Sequence, residues 1–410
     1  MTDTGSDRAT LRRSLTLPWL VFYGVGVTVG AGIFALIGEI LILAGDKAPL
    51  SFLLAGLIAG ITGVSYALLI RRFPRAGGEA VFVNRGLGRL FGHIVGYGVV
   101  ATGTISSAVI ALAFSGYMQA LVPLPQELLL VGVVCGLSLI AWFGVRESIV
   151  FAALITIMEV GTLLVVVLFG TPLLADLPRV GASFVPSLDG VVLAGILSGS
   201  VIAFFAFIGF EDIENMAEET VEPERTVPRA IYWTLAITVL IYVLISVLAV
   251  LAPDRAAITG SPAPMAVLFE QLSGLSGKPV AAAAAIAMIN GILVQIVMVS
   301  RVLYGMAGEG LAPIWFAKVG ERRRTPGRAT LTTTVVILAL ALVFPLVRLA
   351  ELTSLVTLSV FALVNLSLYC LGGRPEHQQL QRYRWVGLFG AGICVAIAGF
   401  QILSGTFGGH

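Results

Sequence analysis

The sequence predicts an all-α polytopic membrane protein of about eleven transmembrane helices, arranged as two inverted five-helix repeats followed by one additional helix. Three observations carry this expectation. The chain is 58% hydrophobic and 12% charged, with a mean hydropathy of +0.99, far more apolar than an ordinary soluble domain. Its apolar residues fall into runs of about 20, the length a helix needs to cross a bilayer. Two of those runs, five spans apart, are interrupted by glycine, and broken helices at corresponding places in two halves point to inverted repeats with a site at mid-membrane.

The runs cover residues 17–43, 49–70, 90–121, 127–143, 148–171, 189–211, 228–252, 279–306, 330–346, 349–371 and 384–406. This organisation gives a tail over 1–16, a first repeat over 17–171, a second over 189–371 and an extra helix over 384–406. Arg8, Arg12 and Arg13 lead into an apolar stretch much longer than a cleavable signal core, so the first run is expected to remain as a helix. With the amino terminus in the cytoplasm, 20 of the 25 Lys and Arg lie on that side, leaving Lys47, Arg179, Arg255, Lys278 and Arg348 outside. That asymmetry predicts a multi-pass cell-membrane protein with a cytoplasmic amino terminus, and an odd number of spans puts the carboxyl terminus outside. A net charge of +2 carries no nucleic-acid signal. Cys135, Cys370 and Cys394 lie in apolar runs without metal-type spacing and read as buried packing.

The first run contains Gly24-Val25-Gly26-Val27-Thr28-Val29-Gly30-Ala31-Gly32-Ile33-Phe34. Glycine is a poor helix former, and hydrocarbon offers no water to exposed backbone groups, so such a cluster at mid-membrane needs a compensating partner. The sixth run reads Gly199-Ser200-Val201-Ile202-Ala203-Phe204-Phe205-Ala206-Phe207-Ile208-Gly209-Phe210-Glu211-Asp212, with a glycine and two carboxylates where apolar helix should continue. Either segment alone also fits close helix packing through small residues. Together, at equivalent positions, they favour a binding site.

These residues resemble an amino acid permease of the amino acid–polyamine–organocation superfamily over nearly the whole chain. Gly26 to Phe34 is similar to the family's opening glycine signature, and Pro74-Arg75-Ala76-Gly77-Gly78-Glu79 to its loop after the second helix. Phe204 to Glu211, with Ala217-Glu218-Glu219 and Pro223 to Ile231, resembles the sixth-helix signature; Ser300 to Met306 with Gly310-Leu311-Ala312-Pro313 and Thr325-Pro326 resembles the exit of the eighth. The resemblance implies a LeuT-type fold with helices 1 and 6 broken.

A zwitterionic amino acid presents a carboxylate and an ammonium, and a broken helix presents free amides at one half-helix start and free carbonyls at another half-helix end. The amides of Ala31, Gly32 and Ile33 are expected to take the carboxylate. The carbonyls of Thr28, Val29, Phe205, Ala206 and Ile208 are expected to take the ammonium. The resemblance assigns Phe205 as the aromatic gate over substrate; packing is the commoner fate of a membrane phenylalanine. Gln295 and Thr102 to Ser107 offer polar walls, although Ser and Thr in such helices often bond their own backbone.

Carboxylates inside apolar segments are expensive and invite functional hypotheses. Glu159 stands where the resemblance implies a lysine in several proton-coupled relatives, which exchanges a fixed ammonium for a group that is either protonated or paired with a cation. Glu211 matches a glutamate that the resemblance links to pH sensing, with capping of the broken helix as its structural alternative. Glu39 lines the outer vestibule or serves structurally. The acidic stretch from Glu211 to Glu224 and the run Arg322-Arg323-Arg324 read as solvated connections, and His93 as an interfacial histidine.

The expected function is secondary active transport of amino acids by alternating access, coupled to protons through Glu159 or Glu211, with an amino acid, protons and the lipid bilayer as partners. Proton-independent exchange, or transport of a polyamine or other amine, is the alternative within transport. A non-translocating membrane sensor is the alternative outside it. No cofactor, metal site or enzyme activity is expected: there is no nucleophile–base pair or metal-spaced histidine cluster, and the GxGxxxG run lies in a membrane helix with no preceding strand.

Overall fold

Helices account for the chain's regular structure because in hydrocarbon only a helix satisfies all of its own backbone groups within one segment. The computed structural model describes residues 13–74, 78–144, 149–181, 185, 189–319 and 325–407. Arg8, Arg12, Arg75 to Gly77, Arg146 and Arg322 to Arg324 lie outside the described residues.

In chain order the helices are α1 (Leu17–Ala44), α2 (Ala48–Arg72), α3 (Gly78–Leu87), α4 (Arg89–Gln119), α5 (Gln126–Phe143), α6 (Ile149–Gly170), α7 (Leu177–Val180), α8 (Gly190–Phe205), α9 (Pro223–Leu251), α10 (Arg255–Thr259), α11 (Pro264–Ser273), α12 (Lys278–Gly308), α13 (Gly327–Val343), α14 (Leu346–Gly372), α15 (Gln378–Gln381) and α16 (Arg384–Phe407). An isolated parallel bridge joins Leu15 to Thr220. Nine stretches of the described residues are long and apolar enough to cross a bilayer; the first, Leu17–Arg72, holds both α1 and α2, while the apolar α13 has 17 residues. The expected runs thus correspond to α1, α2, α4, α5, α6, α8, α9, α12, α13, α14 and α16. Phe344 is extended and Pro345 caps α14, which separates the two most closely spaced runs.

Helix ends follow local chemistry. Prolines occupy the first turns of α1, α2, α9 and α12, where a missing amide costs nothing. The connection after α2, read from sequence as a plain loop, folds into the ten-residue α3 packed on α4 and α14.

The centre is built on α1, which packs on α9, α8, α6 and α12, while α2 packs on α9 and α8 and α4 on α12 and α14. A cluster of edge-to-face rings ties several elements together: Tyr66 of α2 lies 6.1 Å from Phe82, 5.8 Å from Phe210 and 5.5 Å from Phe361, and Phe204 lies 5.6 Å from Phe361. Such pairs contribute about 0.5–1.5 kcal/mol each beyond burial. A second, polar knot joins α2, α14 and α16. The Ser65 hydroxyl donates to Asn365 Oδ1 at 2.6 Å, Asn365 Nδ2 donates to Thr62 at 3.0 Å, and the buried Cys394 thiol lies beside Thr62 and Asn365. Cys135 departs from the buried reading and is exposed on α5, among outward-facing Leu128 and Leu139.

Candidate substrate site

Two glycines set the geometry at the centre. Gly30 interrupts α1 with φ 22° and ψ −148°, and Gly209 follows α8 with φ 119°, a region that L side chains rarely adopt. The two interruptions also face each other. A methyl group on Gly32 would lie 2.5 Å from the Ala206 Cα, and one on Gly209 would lie 2.9 Å from the Val27 carbonyl oxygen. Each broken segment therefore supplies a glycine that admits the other's backbone.

Beside this junction lies a cavity of about 300 Å³. Thr28, Gly30, Ala31 and Gly32 of α1 border it, with Phe205 and Ile208 at the other break, Ser106 and Ile110 of α4, Thr156 and Glu159 of α6, and Gln295 of α12. Of the site residues expected from sequence, Thr28, Ala31, Gly32, Phe205, Ile208, Gln295 and Glu159 thus share one cavity. Val29 and Ile33 are fully buried and Ala206 is 1% exposed; none of the three lines it. A helix that restarts after Gly30 lacks acceptors of its own segment for its first amides, and Ala31 and Gly32 at that restart border the cavity.

The carbonyls of Thr28, Val29 and Ala206 have a neighbour in common. The Tyr242 hydroxyl of α9 lies 3.1 Å from the Thr28 carbonyl oxygen, 3.2 Å from that of Val29 and 2.9 Å from that of Ala206. The three carbonyls surround one phenol, and of the three residues Thr28 borders the cavity while Val29 and Ala206 do not. One hydroxyl proton serves one acceptor at a time, so Tyr242 ties the two breaks together through a shared donor. Its ring is held 5.7 Å from Phe52 and 5.2 Å from Phe207.

Polar groups that remain turned to the cavity are few. Gln295 borders the cavity, and its Oε1 is buried beside Gly103 with no hydrogen-bond partner among the described residues. Glu159 is 4% exposed, and Asp212 from the 3-10 run Phe210–Glu219 also borders the cavity. Among the described residues no Lys, Arg or His lines it. Within Thr102 to Ser107 only Ser106 reaches it; Thr104 and Ser107 donate to the carbonyls of Val100 and Gly103, and Thr102 meets Thr357. Glu39 does not border it.

Glu211 sits elsewhere, accepting the Gly209 amide at 2.8 Å, which is the capping role weighed from sequence. It belongs to a buried acidic group with Glu79 and Glu214. Glu79 accepts from the Tyr66 hydroxyl at 3.2 Å, and burial raises its carboxyl above the usual range. Gly78, at φ 50°, leaves room for the Glu214 carboxylate, which a methyl group there would strike. Among the described residues no set of three His, Cys, Asp or Glu side chains is arranged to hold a metal ion.

Sequence reasoning missed Tyr23, Thr156, Asn290, Met298 and Asp212 as wall residues. A signal existed for α12, since Ala287, Asn290, Gly291, Val294, Gln295 and Met298 follow one helical face. None existed for Tyr242, because a tyrosine in an apolar helix reads as packing.

A family model described as amino acid permease matches residues 15–407. The chain belongs to the amino acid permease family. It is a multi-pass membrane transporter by that membership, not an enzyme. It is 32% identical over 398 residues to an uncharacterized transporter of Mycobacterium tuberculosis, covering 95% of this chain and 86% of that protein. It is 29% identical over 389 residues to cationic amino acid transporter 3 of Arabidopsis thaliana, covering 89% and 63%. It is 27% identical over 401 residues to the branched-chain amino acid permease BcaP of Bacillus subtilis, covering 92% and 84%.

Proposed function

We propose that this permease is a secondary active transporter that imports an amino acid together with protons across the cell membrane by alternating access. The observation that carries the reading is the cavity of about 300 Å³ where both interrupted helices meet, at the small end of the range for ligand pockets and suited to one small solute. The amides following Gly30 take the carboxylate. Glu159 and the Gln295 side chain take the ammonium, with the Thr28 carbonyl, which shares the single Tyr242 hydroxyl with Val29 and Ala206, beside them. Phe205 closes over the solute. The two repeats, 17–171 and 189–371, rock about the broken segments, with 384–406 added at the edge and the amino terminus in the cytoplasm.

Glu159 carries the coupling proton, because an ionised carboxylate buried at membrane depth, with no Lys, Arg or His beside it among the described residues, is costly. Uptake of labelled amino acids into proteoliposomes, with and without an inward-directed proton gradient, tests this. Stimulation by the gradient that disappears in Glu159→Gln is expected; uptake indifferent to both would refute proton coupling. A second reading has its own support: Glu159 and Asp212 make the wall acidic with no opposing cation among the described residues, which suits a substrate with a cationic side chain or an amine, and one relative is a cationic amino acid transporter. Competition by lysine and arginine, but not by leucine, would select that reading, and dependence on internally loaded amino acid would select exchange.

A further inference from the structure

On the face that carries the amino terminus of α1, the ends of α2 and α9 and the connection between α14 and α16 surround a second cavity of about 750 Å³. Arg71, Arg72 and Arg382 border it, and among the described residues none of these guanidinium groups pairs with a carboxylate. Arg72 Nε donates to His377 Nδ1 at 3.2 Å, and its guanidinium lies 5.9 Å from the Phe73 ring centroid, which fixes the side chain. Burial and the neighbouring Arg72 cation push His377 below its usual range, consistent with a neutral acceptor. Arg382 lies 5.8 Å from the Tyr383 ring centroid. Two carboxylates, Glu224 and Glu376, also border the cavity, so the wall retains a net positive charge.

A second feature begins two residues further on. Trp385, Leu388, Phe389, Gly392, Ile393 and Ala396 of α16 line an apolar groove of about 550 Å³, and their spacing places them on one helical face. Trp385 and Phe389 are each 61% exposed, and nothing stands within 4 Å of a methyl group built on Gly392, so the stripe has a notch at its middle. From Trp385 to Ala396 is about 16 Å at 1.5 Å per residue, close to half of the roughly 30 Å hydrocarbon core. Arg384 stands between the two in sequence: its guanidinium lies 4.6 Å from the Tyr369 ring centroid and 5.1 Å from that of Trp385, and its buried Nε has no hydrogen-bond partner among the described residues.

We propose that the basic cavity at Arg71, Arg72 and Arg382, with the groove on α16, is a binding site for one anionic phospholipid of the adjoining leaflet. Guanidinium groups bind phosphate oxygens in a fork that the compact lysine ammonium lacks, and basic pockets between membrane helices at the headgroup level bind anionic lipid heads. The phosphate sits among the three arginines, and one acyl chain descends along Trp385, Phe389 and the Gly392 notch. The lipid then bridges α2, α9 and α16 at one corner of the bundle. This inference is independent of the transported substrate.

The test uses the full chain in delipidated detergent solution, titrated with phosphatidylglycerol or phosphatidylcholine of identical acyl chains, and followed by native mass spectrometry and thermal unfolding. Phosphatidylglycerol is expected to stay bound and raise the unfolding midpoint, while phosphatidylcholine does neither. Removing two cations in Arg71→Ala/Arg382→Ala should weaken phosphatidylglycerol binding about thirtyfold. The exposed variants Arg382→Gln and Gly392→Leu, which leave the interior untouched, should each weaken it as well; Arg89→Ala, outside the cavity, should not. Equal binding of both lipids, or unchanged affinity in Arg382→Gln and Gly392→Leu, overturns the proposal. Full competition by inorganic phosphate alone would identify a free-anion site and overturn it too. A lipid-free increase in midpoint with protein concentration would identify a second copy of the chain on the α16 face, with the same consequence.

Discussion

Gly32 of α1 faces the Ala206 backbone so closely that a methyl group on Gly32 would fall 2.5 Å from the Ala206 Cα and 2.7 Å from its Cβ. The obstacle is main chain and cannot swing aside. Gly32→Ala must therefore separate the two breaks, and overpacking of this kind costs about 1–3 kcal/mol. A lower thermal midpoint together with loss of substrate uptake is the expected result. Retention of both would mean that the breaks do not need this contact.

Tyr242 joins the same two segments by a different means. Tyr242→Phe removes the hydroxyl shared by the carbonyls of Thr28, Val29 and Ala206, leaving buried acceptors unpaired at a cost of about 1–3 kcal/mol. Thermal unfolding should register the loss with little change in expression. An unchanged midpoint would show that water or solute satisfies those carbonyls instead.

Glu159 and Glu211 should separate experimentally. Glu211 accepts the Gly209 amide, so Glu211→Ala should lower stability by about 1 kcal/mol, while Glu211→Gln, which keeps an acceptor oxygen, should lower it less. Glu159→Gln should leave the midpoint unchanged and remove the dependence of uptake on the proton gradient. Matching stability losses in the two glutamine variants would argue for a structural Glu159.

Glu79 gives a pH signature outside the membrane spans. Burial raises its carboxyl above the usual 4.5, with the Tyr66 hydrogen bond opposing. A group whose value is higher in the folded state binds more protons folded than unfolded, so its contribution is present below pH 4.5 and is lost as pH rises through the raised value. Glu79→Gln, which preserves an acceptor for Tyr66, should flatten the decline of the thermal midpoint across that window. A slope equal to that of the unmodified chain would assign the decline to other carboxyls.

Sequence periodicity was sufficient for the eleven apolar helices, because the bilayer imposes one length and one hydrogen-bonding solution on each. The two interruptions were visible for the complementary reason: glycine and carboxylates are penalised in hydrocarbon unless something compensates. The direction of individual backbone groups was not visible. Whether the carbonyls of Thr28 and Val29 meet the cavity or a neighbouring helix depends on Tyr242, more than 200 residues away, and no local pattern encodes that approach. The α3 helix escaped notice because its ten residues mix Glu79, Asn84 and Arg85 with apolar ones, below the length at which periodicity speaks clearly.

The polar knot at Asn365 bears on what a shortened chain could do. Gly390 of α16 approaches Asn365 so closely that a methyl group there would lie 2.7 Å from Oδ1, and Cys394 completes the surroundings of Thr62. A polypeptide stopped before Arg384 would present Ser65, Thr62 and Asn365 to lipid tails or to any small helix able to cover them. The last helix, an appendage in the arithmetic of two repeats, is thus a lid on the interior of α2 and α14. A nonsense mutation there should yield a product destined for membrane quality control instead of a trimmed but working carrier.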